Sequence, residues 1–138
     1  MGDKDIMKTR AFDPIEKRWR TDYAIMPDGS IYEIYASEEY VTQLINRVNW
    51  KLSRFTGLCD KNGKEIYEGD VLHKNQFVRW ARGEGEVYEK LMVVVEWGVS
   101  GFVLKRIGKS SKYILDMTKY EIIGNIFQNP ELLEEVNK

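Results

Sequence analysis

Glycine-containing turns divide the second half of the chain into short runs of strand-forming residues, and this pattern limits its folds more than any other feature. Asn62-Gly63 is the strongest short hairpin signal, because both central residues of a two-residue turn must tolerate a positive φ. Gly98–Gly101 separates Leu91–Trp97, which holds three consecutive valines, from Phe102–Ile107. Tyr120–Phe127 is a further strand candidate. The spacing predicts a mainly β protein, built as a small, partly open barrel.

The first 49 residues predict an α+β appendage to this barrel. Ile6–Phe12 reads as an extended run, and a turn signal at residues 27–30 precedes the alternating strand pattern of Ile31–Tyr35. Residues 37–49 are the exception. Ser37 followed by two glutamates is typical of a helix N-terminus, and apolar residues then follow at helical spacing.

Residues 129–136 predict a short closing helix, with Asn129 as its cap and Pro130 at its first helical position. The chain has 138 residues, 43% of them hydrophobic, which is enough to line one core. We therefore expect a single domain over residues 1–138, in which 1–49 form the appendage and 50–138 form the barrel core and the closing helix.

Hydropathy and the counts of cysteine and histidine exclude several classes of protein. The longest apolar run is five residues, far below the roughly 20 that a membrane span needs. Cys59 is the one cysteine and His73 the one histidine, so neither an internal disulfide nor a closed zinc site of the usual type can form. We expect a cytoplasmic protein with no membrane contact, no metal and no cofactor.

Polar residues crowd positions 60–70, where a calcium loop or a catalytic carboxylate pair has to be considered. An EF-hand loop needs glycine at its sixth position, and counting from Asp60 that position is Glu65. Asp and Asn in turns commonly bond their own backbone, so the structural interpretation is favoured and no catalytic residue is predicted. Residues 83–86, which alternate Gly and Glu, predict a polar loop between strands, because their acids would repel a phosphate.

Residues 73–112 carry eight bases and four acids, a net charge of +4 in a chain whose net charge is −1. Rings are interleaved with cations between Lys74 and Arg82, a composition used to bind single-stranded nucleic acid. In a regular strand, however, Val78 and Trp80 share one face, which favours their burial in the core with the bases in solvent. Nucleic-acid binding therefore ranks second. Its candidate residues are Lys74, Arg79, Trp80, Arg82, Lys105 and Arg106.

Two stretches carry a family likeness. They are residues 55–71, FTGLCDKNGKEIYEGDV, and residues 120–133, YEIIGNIFQNPELL. On these motifs the chain resembles the YopX-like family of phage and prophage proteins. Residues 10–13, RAFD, are similar to the N-terminal motif of that family, with Phe12 in place of Trp.

The resemblance implies a phage or prophage protein, a barrel of the Src-homology-3 type and no established biochemical activity. Its signature positions are interpreted as structural: Gly57, Asp60, Asn62, Gly63, Gly69, Asp70, Gly124 and Asn125. With no catalytic or metal constellation in the sequence, the leading hypothesis is a non-enzymatic binding or assembly module that acts through protein contacts. The partner is unknown and could be a second copy of the chain, because strand edges invite pairing. Nucleic-acid binding and an unrecognised enzyme are the alternatives.

Overall fold

The structure is a computed structural model that describes residues 8–35, 43–83, 85–98, 101–109, 112–113 and 116–135. The protein is mainly β, as predicted, with a sheet curled as a half barrel. The chain divides into two compact units, Met1–Arg54 and Phe55–Lys138. The single domain with a boundary at residue 50 stays a prediction. No helix in the described ranges is long and apolar enough to cross a membrane.

Short antiparallel strands build the described part of the N-terminal unit: β1 (Thr9–Asp13), β2 (Arg18–Arg20), β3 (Tyr23–Ile25), β4 (Ile31–Tyr35), β5 (Gln43–Asn46) and the start of β6 (Lys51–Cys59). β1 pairs with β2 on one side and with residues 51–54 of β6 on the other. β3, β4 and β5 form a three-stranded meander. The small core of this unit contains Ala11, Ile31 and Trp50.

The hairpin predicted before Ile31 is confirmed. The backbone N–H of Met26 donates to the carbonyl of Ser30 at 2.9 Å, and Gly29 lies in the turn with a φ of +88°. β3 and β4 then pair in an antiparallel register, with Ile25 opposite Ile31.

The helix predicted over residues 37–49 is wrong for its described part. Residues 43–46 form strand β5, in which Gln43 pairs with Tyr35 of β4. The apolar residues that suggested a buried helical face are not buried there, since Leu44 and Val48 are exposed. Pairing with β4 therefore overrides the local helical spacing. Residues 37–42 lie outside the described residues.

The C-terminal unit contains a five-stranded antiparallel sheet in the order β11-β10-β9-β8-β12. The end of β6 pairs with β7 (Glu65–Tyr67). The strands of the sheet are β8 (Asp70–Ala81), β9 (Gly85–Gly98), β10 (Gly101–Arg106), β11 (Lys112–Tyr113) and β12 (Glu121–Asn125), and the chain continues into the helix α1 (Leu132–Glu135). The predicted hairpin around Gly98–Gly101 and the predicted strand after Tyr120 are confirmed.

Both faces of this sheet are covered. One face buries Leu72, Val93 and Leu104, and the other buries Val71 and Val94. The run of valines at 93–95 is therefore buried throughout, because alternate residues of a central strand enter opposite cores. This is the part of the sheet that the sequence marked most clearly as a strand.

The hairpin at Asn62-Gly63 is confirmed, but its two-residue turn is wrong. Gly63 has a φ of +83°, whereas Asn62 does not take a positive φ. The N–H of Asp60 donates to the carbonyl of Lys64 at 2.8 Å, so three residues form the loop and the glycine alone is left-handed.

A closing helix is confirmed over Leu132–Glu135 of the predicted 129–136, and Val136 lies outside the described residues, but the predicted roles of Asn129 as cap and of Pro130 as first helical residue are wrong. The side-chain oxygen of Asn129 accepts a hydrogen bond from the backbone N–H of Asn125 at 3.3 Å. Asn129 therefore fixes the end of β12, and the helix begins only at Leu132, after the turn that contains Pro130.

Candidate functional site

Asp60 joins the two signature stretches of the sequence. One carboxylate oxygen accepts hydrogen bonds from the backbone N–H groups of Asn62 and Lys64, each at 2.9 Å, and closes the β6–β7 loop. The other oxygen accepts from the N–H of Ile122 in β12 at 3.0 Å. The N–H of Lys61 also donates to the carbonyl of Tyr120 at 2.9 Å. The hairpin is thereby fastened to the last strand of the sheet.

The ionised form of Asp60 is favoured by these contacts. Burial raises the pKa of its carboxyl group, but the hydrogen bonds from the backbone of Ile122, Lys64 and Asn62 together outweigh burial and hold the pKa below its ordinary value. A lowered pKa suits a structural anchor. A general acid at neutral pH needs the opposite shift.

Asp70 and Asn125 lie opposite each other in the β8–β12 ladder and are both buried. The Asp70 carboxylate accepts a hydrogen bond from the N–H of Tyr67 at 2.8 Å. The Asn125 side-chain oxygen accepts from the N–H groups of Phe127 and Gln128, at 3.1 and 2.8 Å. Both side chains therefore shape turns at one end of this ladder.

Several signature glycines lie at positions where a side chain would strain the backbone or clash with a neighbouring side chain. Gly69 has a φ of +90°, and a Cβ atom there would lie 2.6 Å from the ring of Phe127. A Cβ at Gly124 would lie 2.6 Å from the side-chain oxygen of Asn129. Gly57, with a φ of +88°, sits in the irregular stretch of β6 between Phe55 and Cys59. These contacts support a structural role for the signature.

The acids between positions 60 and 70 do not assemble a metal site. In the described ranges, no group of three or more His, Cys, Asp or Glu side chains is placed to hold a metal ion. Asp60 and Asp70 instead accept hydrogen bonds from the backbone, as the sequence predicted for turn residues. The polar loop predicted over residues 83–86 is wrong at Gly85 and Glu86, which belong to β9 and pair with Ala81 and Trp80 of β8, and Glu84 lies outside the described residues.

The residues proposed for nucleic-acid binding are not brought to one face. The β8–β9–β10 register places three of them on the face that carries Leu72: Lys74, Arg79 and Arg106. Trp80 and Lys105 fall on the opposite face, and Arg82 follows the end of β8. Two of the bases already have neighbours within the chain. Lys74 lies 4.9 Å from the centre of the Tyr120 ring, and Arg106 pairs with Glu89 at 3.4 Å.

The predicted burial of Val78 and Trp80 is wrong. Trp80 is 70% exposed and Val78 is 45% exposed. Their exposure follows from their position in a part of the sheet that has exposed residues on both faces, Arg79 on one and Phe77 on the other. A β-bulge decides the face of Trp80, because Phe77 lies opposite Tyr88 while Arg79 lies opposite the adjacent Val87, which leaves Val78 as an extra residue. The bulge shifts the alternation by one position, so Phe77 and Trp80 lie on the same face.

Three aromatic side chains form an exposed cluster on that face, which we call the ring patch: Phe77, Trp80 and Tyr88. The ring of Phe77 packs edge-to-face against those of Trp80 and Tyr88, each with centroids 5.8 Å apart. Phe77 is 44% exposed and Tyr88 is 53% exposed, so the rings contact one another and solvent. Such a cluster is unusual on the surface of a monomer, where apolar side chains are normally scattered.

The ring patch lies on a two-stranded extension of the sheet, which we call the arm: residues 74–81 of β8 and 85–91 of β9. β12 pairs with β8 only up to His73, and the last residue of β10 pairs with Val93 of β9. Beyond these points, no strand in the described part of the chain pairs with either outer edge of the arm. The arm therefore presents three apolar rings and two strand edges.

A cleft of about 500 Å³ in the N-terminal unit is the other candidate site. Its floor is an ion-pair network in which Arg20 contacts the nearly buried carboxylates of Asp13 and Glu33, at 3.3 and 2.6 Å. Arg47 contacts Glu33 at 2.6 Å, and both guanidinium groups lie over the ring of Trp50. Both acids therefore already form ion pairs with arginines of the same unit. For this reason the cleft is a weaker candidate for a ligand site than the arm is for a contact surface.

Comparison with known proteins defines the family. A family model described as YopX protein matches residues 8–134, nearly the whole chain. The chain belongs to the YopX family. The resemblance of its two motifs to YopX-like proteins is therefore confirmed. No curated protein matches it.

A solved structure shares the fold of this YopX-family chain. The crystal structure of protein EF1440 from Enterococcus faecalis superimposes with a TM-score of 0.60 and 24% sequence identity, over 93% of this chain and 98% of that one. At this identity the similarity shows the fold alone.

Sequence reasoning missed both the ring patch and the ion-pair floor of the cleft in this YopX-family chain. The sequence did show rings interleaved with cations near Trp80, but regular alternation assigned the tryptophan to the core. The ion-pair network that lines the cleft consists of residues that no local sequence motif connects: Asp13, Arg20, Glu33 and Arg47.

Proposed function

We propose that this YopX-family protein is a binding or assembly module that acts through protein contacts, and that the ring patch is its contact surface. The main observation in support is that three rings in contact through Phe77 are exposed on the arm, whose outer strand edges are unpaired in the described residues. Aromatic side chains supply much of the binding energy at protein interfaces, because they bury a large area while losing few rotamers.

The charges around the patch indicate the chemistry of the partner surface. Arg79 lies on the face of the arm opposite the rings, but Lys90 is exposed on the ring face, and Arg82 is exposed just beyond the end of β8. A partner with an apolar depression and an acidic rim would complement both the rings and these cations. Glu86, which accepts a hydrogen bond from the hydroxyl of Tyr88, limits the positive charge on the β9 side.

The cellular location and the detailed fold type are part of the same proposal. We take the protein to act in the cytoplasm of a host that carries the phage or prophage, as the family resemblance implies. We also take residues 50–138 to form a partly open barrel of the Src-homology-3 type, with 1–49 as an appendage. The curled, antiparallel sheet and its short closing helix support this assignment.

Site-specific photo-crosslinking in host cells tests the contact surface. A photoreactive residue at Val78, beside the rings, should capture a distinct protein, whereas the same residue at the exposed Val48 of the N-terminal unit should not. Trp80→Ala should abolish the capture at Val78. The matched control Ile15→Ala, which also truncates a strongly exposed apolar side chain, should leave it unchanged. Equal capture at both positions, or capture that survives Trp80→Ala, would refute the assignment of the patch.

Nucleic-acid binding is the second candidate, because exposed rings can serve as a stacking platform for single-stranded bases. The separation of Trp80 from Lys74, Arg79 and Arg106 on opposite faces ranks it lower. Titration of a labelled single strand and a labelled duplex at low salt separates the two candidates. Tight binding that weakens steeply with salt and is lost in Arg79→Ala/Arg82→Ala would favour nucleic acid, and a flat titration would favour a protein partner.

An unrecognised enzyme is the third possibility left by the sequence. Among the carboxylates first considered for catalysis, Asp60 and Asp70 have backbone partners, and the pKa of Asp60 is lowered. These observations support the binding module over hydrolytic chemistry at the signature hairpin.

A further inference from the structure

The outer edge of β9 in the arm presents backbone groups with a known orientation. The carbonyl of Met92 accepts a hydrogen bond from the N–H of Ile107 at 3.0 Å, so the backbone groups of Met92 point away from β8. In an antiparallel ladder every second residue points the same way. Because the bulge lies in β8 and leaves β9 regular, the N–H and C=O groups of Glu86, Tyr88 and Lys90 also point to the outer edge.

The side chains of these three residues share one face of the arm, and their charges are self-complementary. Tyr88 bonds to Glu86 on that face, and Lys90 is the next residue of the same alternation. Glu86 and Lys90 stand two positions on either side of Tyr88. An antiparallel copy of this strand centred on Tyr88 therefore meets an acid with a base at both flanking pairs.

We propose that a second copy of this chain pairs with the outer edge of β9, antiparallel and about a two-fold axis at Tyr88. The backbones of the two Tyr88 residues would exchange two hydrogen bonds, and each Glu86 would lie opposite Lys90 of the other copy and exchange two more. Opposite charges directly across two strands stabilise the pair, and like charges destabilise it. The interface is isologous, so it closes as a dimer and does not extend into a filament.

A pair centred on Val87 places each Glu86 opposite Tyr88 and loses its contact with Lys90, and three other registers bring like charges together. Centring the pair on Glu86 or Glu89 brings two carboxylates together, and centring it on Lys90 brings two ammonium groups together. The outer edge of β8 offers no comparable pairing. Its residues 74–81 include Lys74 and Arg79 but no acid, so a copy of that edge gains no pair of opposite charges.

This dimer adds a specific partner to the proposed function. It rests on the proposed function in one respect, that the arm is the contact region. A two-fold axis perpendicular to the sheet keeps equivalent faces on the same side. The two ring patches would then lie on one face of a continuous four-stranded ribbon made of β8 and β9 from both copies. A dimer would present a doubled aromatic surface to a partner and would remove two open strand edges.

Charge reversal tests the pairing with the full-length chain. Glu86→Lys places two ammonium groups at each flanking pair, and Lys90→Glu places two carboxylates there, so each variant alone should be monomeric at concentrations where the wild type is dimeric. An equimolar mixture of the two variants should dimerise again, because the mixed dimer brings two ammonium groups of one copy to two carboxylates of the other. The double variant Glu86→Lys/Lys90→Glu should dimerise by itself. Lys51→Glu, an exposed charge reversal in the N-terminal unit, is the matched control and should behave as wild type.

Sedimentation equilibrium reads out the association, and far-ultraviolet circular dichroism checks that each variant is folded. Variants that fail to fold cannot regain dimerisation when they are mixed. Dimerisation of the mixture therefore shows that each single variant lost the interface and kept its fold. A monomeric wild type, a dimer unaffected by both single variants, or a mixture that stays monomeric would each overturn the proposal. The result is distinguishable from the proposed function, because Trp80→Ala should abolish partner capture and leave the dimer in place.

Discussion

The carboxylate of Asp60 accepts a hydrogen bond from the backbone N–H of Ile122, 62 positions further along the chain, at a distance of 3.0 Å. The same carboxylate closes the β6–β7 loop through the N–H groups of Asn62 and Lys64. One side chain therefore satisfies three backbone donors from two distant segments. Unsatisfied buried donors are costly, so this position should dominate the stability of the C-terminal unit.

We expect Asp60→Ala to lower the free energy of unfolding by about 3 kcal/mol, because it removes a charged acceptor from three backbone N–H groups. Urea denaturation followed by circular dichroism measures the change. Asp28→Ala is the matched control, since Asp28 also accepts from backbone and side chain in a turn but is exposed. A loss at Asp28 equal to that at Asp60 would contradict the role assigned to the link with Ile122.

The contribution of Asp60 should also depend on pH in a defined direction. Its folded pKa lies below the ordinary value of about 4, so its stabilisation is fully present above that value and is lost as the pH falls through the folded pKa. The difference in unfolding free energy between wild type and Asp60→Asn should therefore be constant near neutral pH and shrink in acid. Urea midpoints measured from neutral pH to about pH 3 test this. A difference that grows in acid would contradict it.

Gly69→Ala should destabilise the protein more than Gly63→Ala. Both glycines have a positive φ, which costs an alanine about 1 kcal/mol, but a Cβ at Gly69 also meets the ring of Phe127 whereas the space at Gly63 is open. We expect losses of about 2 and about 1 kcal/mol respectively. Thermal unfolding of the two variants side by side provides the measurement. An equal loss would mean that Phe127 moves aside without cost.

Tryptophan fluorescence should report the exposure of Trp80. Removing the exposed emitter in Trp80→Phe should shift the emission maximum to shorter wavelength and reduce quenching by acrylamide. Trp50→Phe removes a tryptophan that is 7% exposed and should shift both properties the other way. The reverse pattern, with a shift to longer wavelength in Trp80→Phe, would restore the buried assignment of Trp80.

Local turn chemistry made much of the C-terminal sheet predictable from the sequence. The hairpins at Gly63 and at Gly98–Gly101 are predictable because glycine in a turn and strand-forming residues beside it determine the local conformation within a few residues. The bulge at Val78 could not be predicted in this way. It depends on how β8 and β9 match over their whole length, and one extra residue places Trp80 on the same face as Phe77 and Tyr88.

Non-local contacts account for the other differences. Residues 43–46 have a helical apolar spacing but pair with β4, a partner that a local pattern does not reveal. The sequence identified Asp60 as a turn residue, yet its bond to Ile122 required the two motifs to be seen in space. No sequence motif indicated the network of arginines and carboxylates at Trp50, because its members are spread from Asp13 to Arg47.

The placement of β12 at the edge of the sheet has a consequence for synthesis on the ribosome. β8 and β9 are made well before residues 121–125, and until those residues emerge the carboxylate of Asp60 lacks its donor at Ile122 and the buried end of β8 lacks its neighbour. The C-terminal unit can therefore complete its core only after nearly all of its chain has left the exit tunnel, and a nascent chain stalled before β12 would expose the strand edge that the finished protein covers.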